Sequence, residues 1–173
     1  MHVVKALDAG DIILQAETAI SPEDTGGSVH DRLAEMTPET LTKALHKITK
    51  GADTRTPQDD ALSSYAPKLL RDHGKLDCTK SATELERLIR AYHPWPSTYT
   101  TFTDKKGKVR RLKVFPPTSV ISASDTVVGE LNVIEGKLCL GCGSNTALKF
   151  HQVQAEGSKA MSAEDFLKGN PIG

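Results

Sequence analysis

The carboxylate best placed for catalysis is Asp8, in Leu7-Asp8-Ala9-Gly10-Asp11. It follows Val3-Val4, which reads as a strand end, and it precedes a glycine turn. Such junctions are where α/β enzymes present side chains, although the same residue types also serve as plain turn formers. The densest charge lies farther on. In Lys105-Lys106-Gly107-Lys108-Val109-Arg110-Arg111-Leu112-Lys113, six of nine residues are basic. A hairpin carrying these cations can grip a phosphate backbone, with an affinity that falls as salt rises. As a solvated edge strand, its lysines would instead discourage edge pairing. Arg87 and Arg90, three apart on a predicted helix, extend the patch.

Other constellations carry less. Cys139-Leu140-Gly141-Cys142 has CxxC spacing, but a redox pair belongs at a helix N-terminus and a zinc site needs two more ligands at suitable spacing. Cys78 and His151 form no second pair, so two cysteines at a strand end is the better reading, and no metal is expected. Gly141-Cys142-Gly143-Ser144-Asn145-Thr146 lacks the third glycine of a dinucleotide fingerprint, and a strand follows it instead of a helix. The histidines at 2, 30, 46, 73, 93 and 151 are scattered without helical metal-ligand spacing.

The elements that must position these groups fall into two styles. Near the start, Ile12 to Ile20 alternates as a strand. Thr25 or Ser28 caps a helix with Val29, Leu33 and Met36 on one face. A second helix is predicted from Thr37 as N-cap and Pro38 at the first position, with Leu41, Ala44, Leu45 and Ile48 in period and Gly51 as the stop. Residues 52–66 are polar and aperiodic, as a linker is. Ser81-Ala82-Thr83-Glu84 has capping-box spacing and opens a helix that ends at His93-Pro94-Trp95-Pro96. Short strands follow at 98–103, 109–115, 118–122, 129–134, 137–140 and 147–154, which suggests a small closed barrel or a sandwich. Met161–Lys168 reads as a terminal helix capped by Ser162.

Composition sets the outer bounds. The 173 residues are 38% hydrophobic and 25% charged, enough apolar material for a core. Apolar runs such as Ile12-Ile13-Leu14 fall far short of the about 20 residues a spanning helix needs, so no membrane association is expected. Three cysteines are too few for a disulfide framework, and the chain reads as cytoplasmic. The net charge of zero hides a division: residues 1–65 carry 6 Lys and Arg against 11 Asp and Glu, whereas 66–173 carry 16 against 11. A basic part following an acidic one suggests two units, the basic one suited to a polyanion. One strand and two amphipathic helices in the first ~50 residues cannot cover each other's apolar faces; they look like the tail of a larger α/β domain.

Several segments, taken in order, resemble a known family. Leu7 to Ile12, Ile20 to Thr25 and Leu33-Ala34 look like the second half of a formyltransferase catalytic domain. Thr56-Pro57-Gln58 and Tyr65-Ala66-Pro67-Lys68-Leu69 look like the linker that follows it. Glu86 to Ala91 with His93-Pro94-Trp95-Pro96, and Gly157 to Ala163 with Asp165-Phe166-Leu167, look like the opening and the close of the C-terminal domain. Together these resemble the methionyl-tRNA formyltransferases, from about residue 1 to 169.

The resemblance implies a fold: the end of a Rossmann-like formyltransferase domain (1–51), a linker (52–70) and an OB-like β-barrel domain (71–173). It implies formyl transfer from 10-formyltetrahydrofolate to the amino group of methionyl initiator tRNA, in translation initiation. Leu7 and Asp8 would meet the folate. Arg87, Arg90, Lys105, Lys106, Lys108, Arg110, Arg111 and Lys113 would meet the tRNA. The family's catalytic group is an Asn, a His and an Asp, of which the Asp alone is matched here, by Asp8. The Asn would donate to the oxyanion of the tetrahedral intermediate, the His would move the protons, and Asp8 would orient the His. The chain is therefore expected to be a C-terminal half, inactive alone, missing an N-terminal half and monomeric at full length. The alternatives are a stand-alone OB-fold RNA-binding module without catalysis, and a related formyltransferase with a sugar-nucleotide or folate-dehydrogenase role.

Overall fold

The computed structural model describes residues 1–53, 55–170 and 172. Thr54, within the predicted linker, lies outside the described residues, as do Pro171 and Gly173 at the end of the predicted barrel domain. The chain divides into two compact units, Met1–Ser21 with Ser28–Lys68, and Pro22–Gly27 with Leu69–Gly173.

The first unit is built on one long helix, α1 (Gly26–Thr49), whose first two residues belong to the second unit. The sequence predicts two helices here, with Thr37 capping the second. Instead α1 runs straight through, with Pro38 inside it. The Thr37, Thr40 and Thr42 hydroxyls donate to the carbonyls of Leu33, Met36 and Pro38, one turn back, at 2.8, 2.9 and 2.8 Å. A threonine bonded to the preceding turn in this way sits inside a helix and does not cap a new one. The predicted stop holds. Gly51, at φ +62°, donates to Ile48 O and Ala52 donates to Lys47 O, at 3.0 and 2.9 Å, a Schellman pair that consumes the last carbonyls.

The predicted strand from Ile12 to Ile20 does not form. Ile12 makes a single antiparallel bridge with Thr56, and residues 13–20 are irregular. A strand needs neighbours to take its amides and carbonyls, and the first unit supplies none over this stretch. No Rossmann-like sheet is therefore seen among the described residues. The unit covers little of its apolar surface: among the described residues Ile13 is buried, but α1 buries none, and Leu33, Leu41, Leu45 and Ile48 are exposed along it.

The second unit is a curled antiparallel sheet filled by helices. It opens with α2 (Ala82–Ala91), where Ser81 and Glu84 form the predicted capping box. The strands are β1 (Thr98–Thr103), β2 (Val109–Ser122), β3 (Leu131–Ile134), β4 (Lys137–Cys142), β5 (Thr146–Ala155) and the two-residue β6 (Met161–Ser162). The predicted strands at 109–115 and 118–122 are one strand, with a register shift between Phe115 and Thr118. The sheet order is β1-β2-β5-β4-β3, with β6 on β5, so the path is open at β1 and β3 and does not close as a barrel. Helix α3 (Ala163–Gly169) follows, capped by Ser162.

The core lies on the sheet's inner side. Leu85 and Ile89 of α2, Phe166 of α3, Leu112 and Val114 of β2, and Leu148, Phe150 and Val153 of β5 form one buried cluster. Phe102 meets Phe166 edge-on at 5.1 Å.

Candidate functional site

The sheet's alternation decides which cations share a surface. Leu112 and Val114 point into the core, so Arg111 and Lys113 lie on the outer face of β2. The register pairs Lys113 with Tyr99 on β1 and with Gln154 on β5, and pairs Arg111 with Thr101. The Glu156 amide donates to Arg111 O at 3.0 Å, which brings Glu156 beside that row. The Arg111 guanidinium lies over the Tyr99 ring, 4.7 Å from its centroid. This contact holds the cation on the sheet without neutralising it.

A groove of about 530 Å³ runs along this face, lined by Arg71, Trp95, Ser97, Tyr99, Arg111 and Lys113 among others. The segment carrying Arg71 is held in place by backbone. Leu76 N donates to Tyr99 O at 2.9 Å, and Gly74 comes so near Ser97 that a Cβ there would lie 2.1 Å from the Ser97 carbonyl oxygen. Glycine is required at 74 because that approach leaves no room for a side chain. Arg71, Arg111 and Lys113 make no ion pair with the described residues. Trp95 is 53% exposed, and the Ser97 hydroxyl oxygen is shut from solvent with no partner among the described residues.

The remaining predicted cations separate into groups. Lys105, Lys106 and Lys108 are exposed on the turn between β1 and β2. Arg110 has the inward parity, and its Nε donates to Asp104 Oδ2 at 2.7 Å, so it closes the turn. Arg90 is half-buried: its Nε donates to Glu86 at 2.6 Å and its Nη1 to Asp24 O at 2.8 Å. Arg87 is exposed, but on α2, which packs against the inner face of β2. The fold thus gathers Arg111 and Lys113 with Arg71, and leaves Arg87, Arg90 and Arg110 elsewhere. Arg71, Trp95, Tyr99 and Gln154 were missed by the sequence reading. The period of two around Leu112 could have singled out Arg111 and Lys113 within the basic run, but Tyr99 and Gln154 join them only through the strand register.

In the first unit, Asp8 has φ +53° and is exposed. Gln58 Nε2 donates to the backbone carbonyls of Asp8 and Gly10, at 2.8 and 2.7 Å, which ties the Asp8 turn to the Thr56-Pro57-Gln58 segment. Leu7, Asp8, Pro57, Gln58 and Tyr65 line a cleft of about 710 Å³. Among the described residues its lining holds no His and no Asn. His2 Nε2 is instead 3.2 Å from Asp53 Oδ2.

The cysteines do not form a cluster of the CxxC kind. Cys139 and Cys142 are both buried in β4, on opposite faces by strand parity, so the two sulfurs cannot chelate one ion. Burial pushes both thiols up, Cys142 to about 11, and the Cys78 thiol rises for the same reason. No group of three or more potential metal ligands occurs among the described residues. No helix among them is long and apolar enough to cross a membrane.

A helix-filled, curled antiparallel sheet with a basic outer face defines the class, and comparison with known proteins places the chain within it. Residues 68–171 match the family described as formyl transferase, C-terminal domain, and the chain belongs to that family. It is similar to the methionyl-tRNA formyltransferase of Akkermansia muciniphila, at 44% identity over 99% of this chain and 54% of the relative. It is also similar to those of Marinobacter nauticus, at 36% over 98% and 53%, and Pseudomonas putida, at 39% over 96% and 52%. The chain spans about half the length of these curated relatives. Among solved structures, its fold is similar to HypX from Aquifex aeolicus in complex with tetrahydrofolic acid, with a TM-score of 0.59 and 17% identity, covering 95% of this chain and 28% of that one.

Proposed function

We propose that the chain serves as the C-terminal half of a methionyl-tRNA formyltransferase. Its β-sheet domain (71–173) binds methionyl initiator tRNA. Its first part (1–51) supplies one catalytic group, with 52–70 as the linker. The observation that carries this reading is the colinear match to relatives of that name over nearly the whole chain. The exposed cations on the outer face of β2 support the tRNA role, since cations with no acidic partner among the described residues are free to replace the counterions of a phosphate backbone. The curled sheet supports the OB-like description of the domain.

Formyl transfer from 10-formyltetrahydrofolate to an amine passes through a tetrahedral oxyanion. It needs a hydrogen-bond donor for that oxygen and a base for the amine. Asp8, in the cleft it shares with Leu7, offers a carboxylate able to orient and stabilise a charged imidazole. The donor and the imidazole would come from the additional length that the relatives possess. HypX, which shares the fold, has been crystallised with tetrahydrofolic acid. A stand-alone RNA-binding module is the second reading, favoured by the complete core of the second unit.

Extending the chain at its start with the preceding residues of the Akkermansia relative tests the proposal. The expected result is formylmethionyl-tRNA, with Asp8→Asn lowering the rate by about a hundredfold or more. Full activity in the Asp8→Asn form, or none in the extended chain although it folds, overturns the catalytic reading.

A further inference from the structure

The groove on the outer face of the sheet is more than a cationic surface. Trp95 presents a flat aromatic ring that is 53% exposed and lines the groove beside the cations, where a planar group can stack on it. Beside it stand three cations without ion partners among the described residues, Arg71, Arg111 and Lys113. The neutral Gln154 and the carboxylate of Glu156 line the same groove. A carboxylate at that position disfavours a bare anion, but accepts readily from an exocyclic amino group. A ligand that matches the set has a planar π-face, hydrogen-bonding edges and a negative charge on one side.

Duplex RNA does not match. Its bases are stacked on each other, and a protein meets chiefly phosphates and 2′-hydroxyls. An unpaired nucleotide does match, because an exposed base can lie on an aromatic ring while its phosphate meets the cations. We propose that the Trp95 groove holds an unpaired nucleotide of the tRNA, its base stacked on Trp95 and its phosphate on Arg71, Arg111 and Lys113. The inference rests on the tRNA-binding reading above. It adds that the face reads a single-stranded element and does not merely track charge.

Trp95 is the one tryptophan of the chain, so its emission reports on this groove alone. The full chain is titrated with fluorophore-labelled initiator tRNA, with a short single-stranded RNA and with a blunt RNA duplex. Trp95 emission and the anisotropy of the label are followed together. Saturable quenching by tRNA and by the single strand, with none by the duplex, is the expected result. Trp95→Leu is expected to weaken tRNA binding about tenfold, and Trp95→Phe to restore most of it, because stacking needs a ring. Circular dichroism of both variants should match the parent, since the side chain is half in solvent.

tRNA that binds by anisotropy while Trp95 emission stays unchanged, or that binds Trp95→Leu as tightly as the parent, overturns the groove assignment and leaves tRNA binding intact. An absence of tRNA binding overturns both.

Discussion

At the scale of single residues, the fold divides cations that look alike in the sequence. Arg111 and Lys113 project from one face of β2 and have no acidic partner among the described residues, whereas Arg110 is bound to Asp104 and Arg90 to Glu86. A guanidinium already bonded to a carboxylate has less to gain from a phosphate, because it must give up one charge-assisted bond to form another. Reversing Arg111 and Lys113 together to Glu is therefore expected to weaken tRNA binding strongly. It should also flatten the dependence of log K on log salt by about 2, one unit for each phosphate that is no longer neutralised. Arg87→Glu, on the helix that packs against the other side of β2, is expected to leave both quantities unchanged. Fluorescence anisotropy across a salt series measures both. An Arg87 effect as large as that of the pair would move the binding surface to α2.

At the scale of elements, the turn between β1 and β2 is organised by one carboxylate. Asp104 Oδ1 accepts from the Lys108 and Lys106 amides at 3.0 and 2.9 Å, and its Oδ2 accepts from Arg110. These bonds, the Lys108 amide first and the Arg110 guanidinium next, hold the Asp104 carboxyl below its ordinary value. Gly107, at φ +75°, completes the turn. Because the folded value is depressed, the contribution of Asp104 to order is fully present above its unfolded value. It is lost as the pH falls through the folded one. The amide resonances of Lys106 and Lys108 are thus expected to shift together in acid, at a pH below the ordinary aspartate range, and Asp104→Asn should abolish that shared step. Persistence of the step in Asp104→Asn would assign it to another group. The turn presents Lys105, Lys106 and Lys108, so its order sets how rigidly the flanking cations are held.

At the scale of the whole molecule, the two units differ in how much apolar surface they satisfy. The second has a continuous core from Leu76 to Phe166, whereas the first leaves Leu33, Leu41, Leu45 and Ile48 exposed along α1. Residues 66–173 are expected to fold alone with cooperative denaturant unfolding. What they forgo is chiefly the tie of residues 22–27, where Arg90 meets Asp24 O and Gly27 donates to His93 O. The full chain is expected to bind a hydrophobic dye several-fold more strongly than 66–173 does, because contiguous exposed apolar patches take up such dyes and promote association. Equal dye binding by both would show that the α1 stripe is covered in solution.

What the sequence by itself determined was local. The Ser81–Glu84 capping box, the Gly51 stop, the Ser162 cap and most strand segments were legible, because each rests on interactions within a few residues. The same was true of Asp8 in its turn and of the basic run at 105–113. What only the tertiary structure decided was everything that depends on partners distant in the chain. Residues 12–20 have the alternation of a strand but no neighbours to pair with, so no ladder forms. Thr37 and Pro38 carry the chemistry of a helix start, but the Thr37 hydroxyl bonds to Leu33 and α1 continues. Arg71, the stretch from Trp95 to Tyr99, and Gln154 are three separate segments that become one groove when β1, β2 and β5 pair and Gly74 lets the chain close against Ser97. A site assembled across strands is fixed by register and by close backbone approach, and neither is written in the spacing of any single segment.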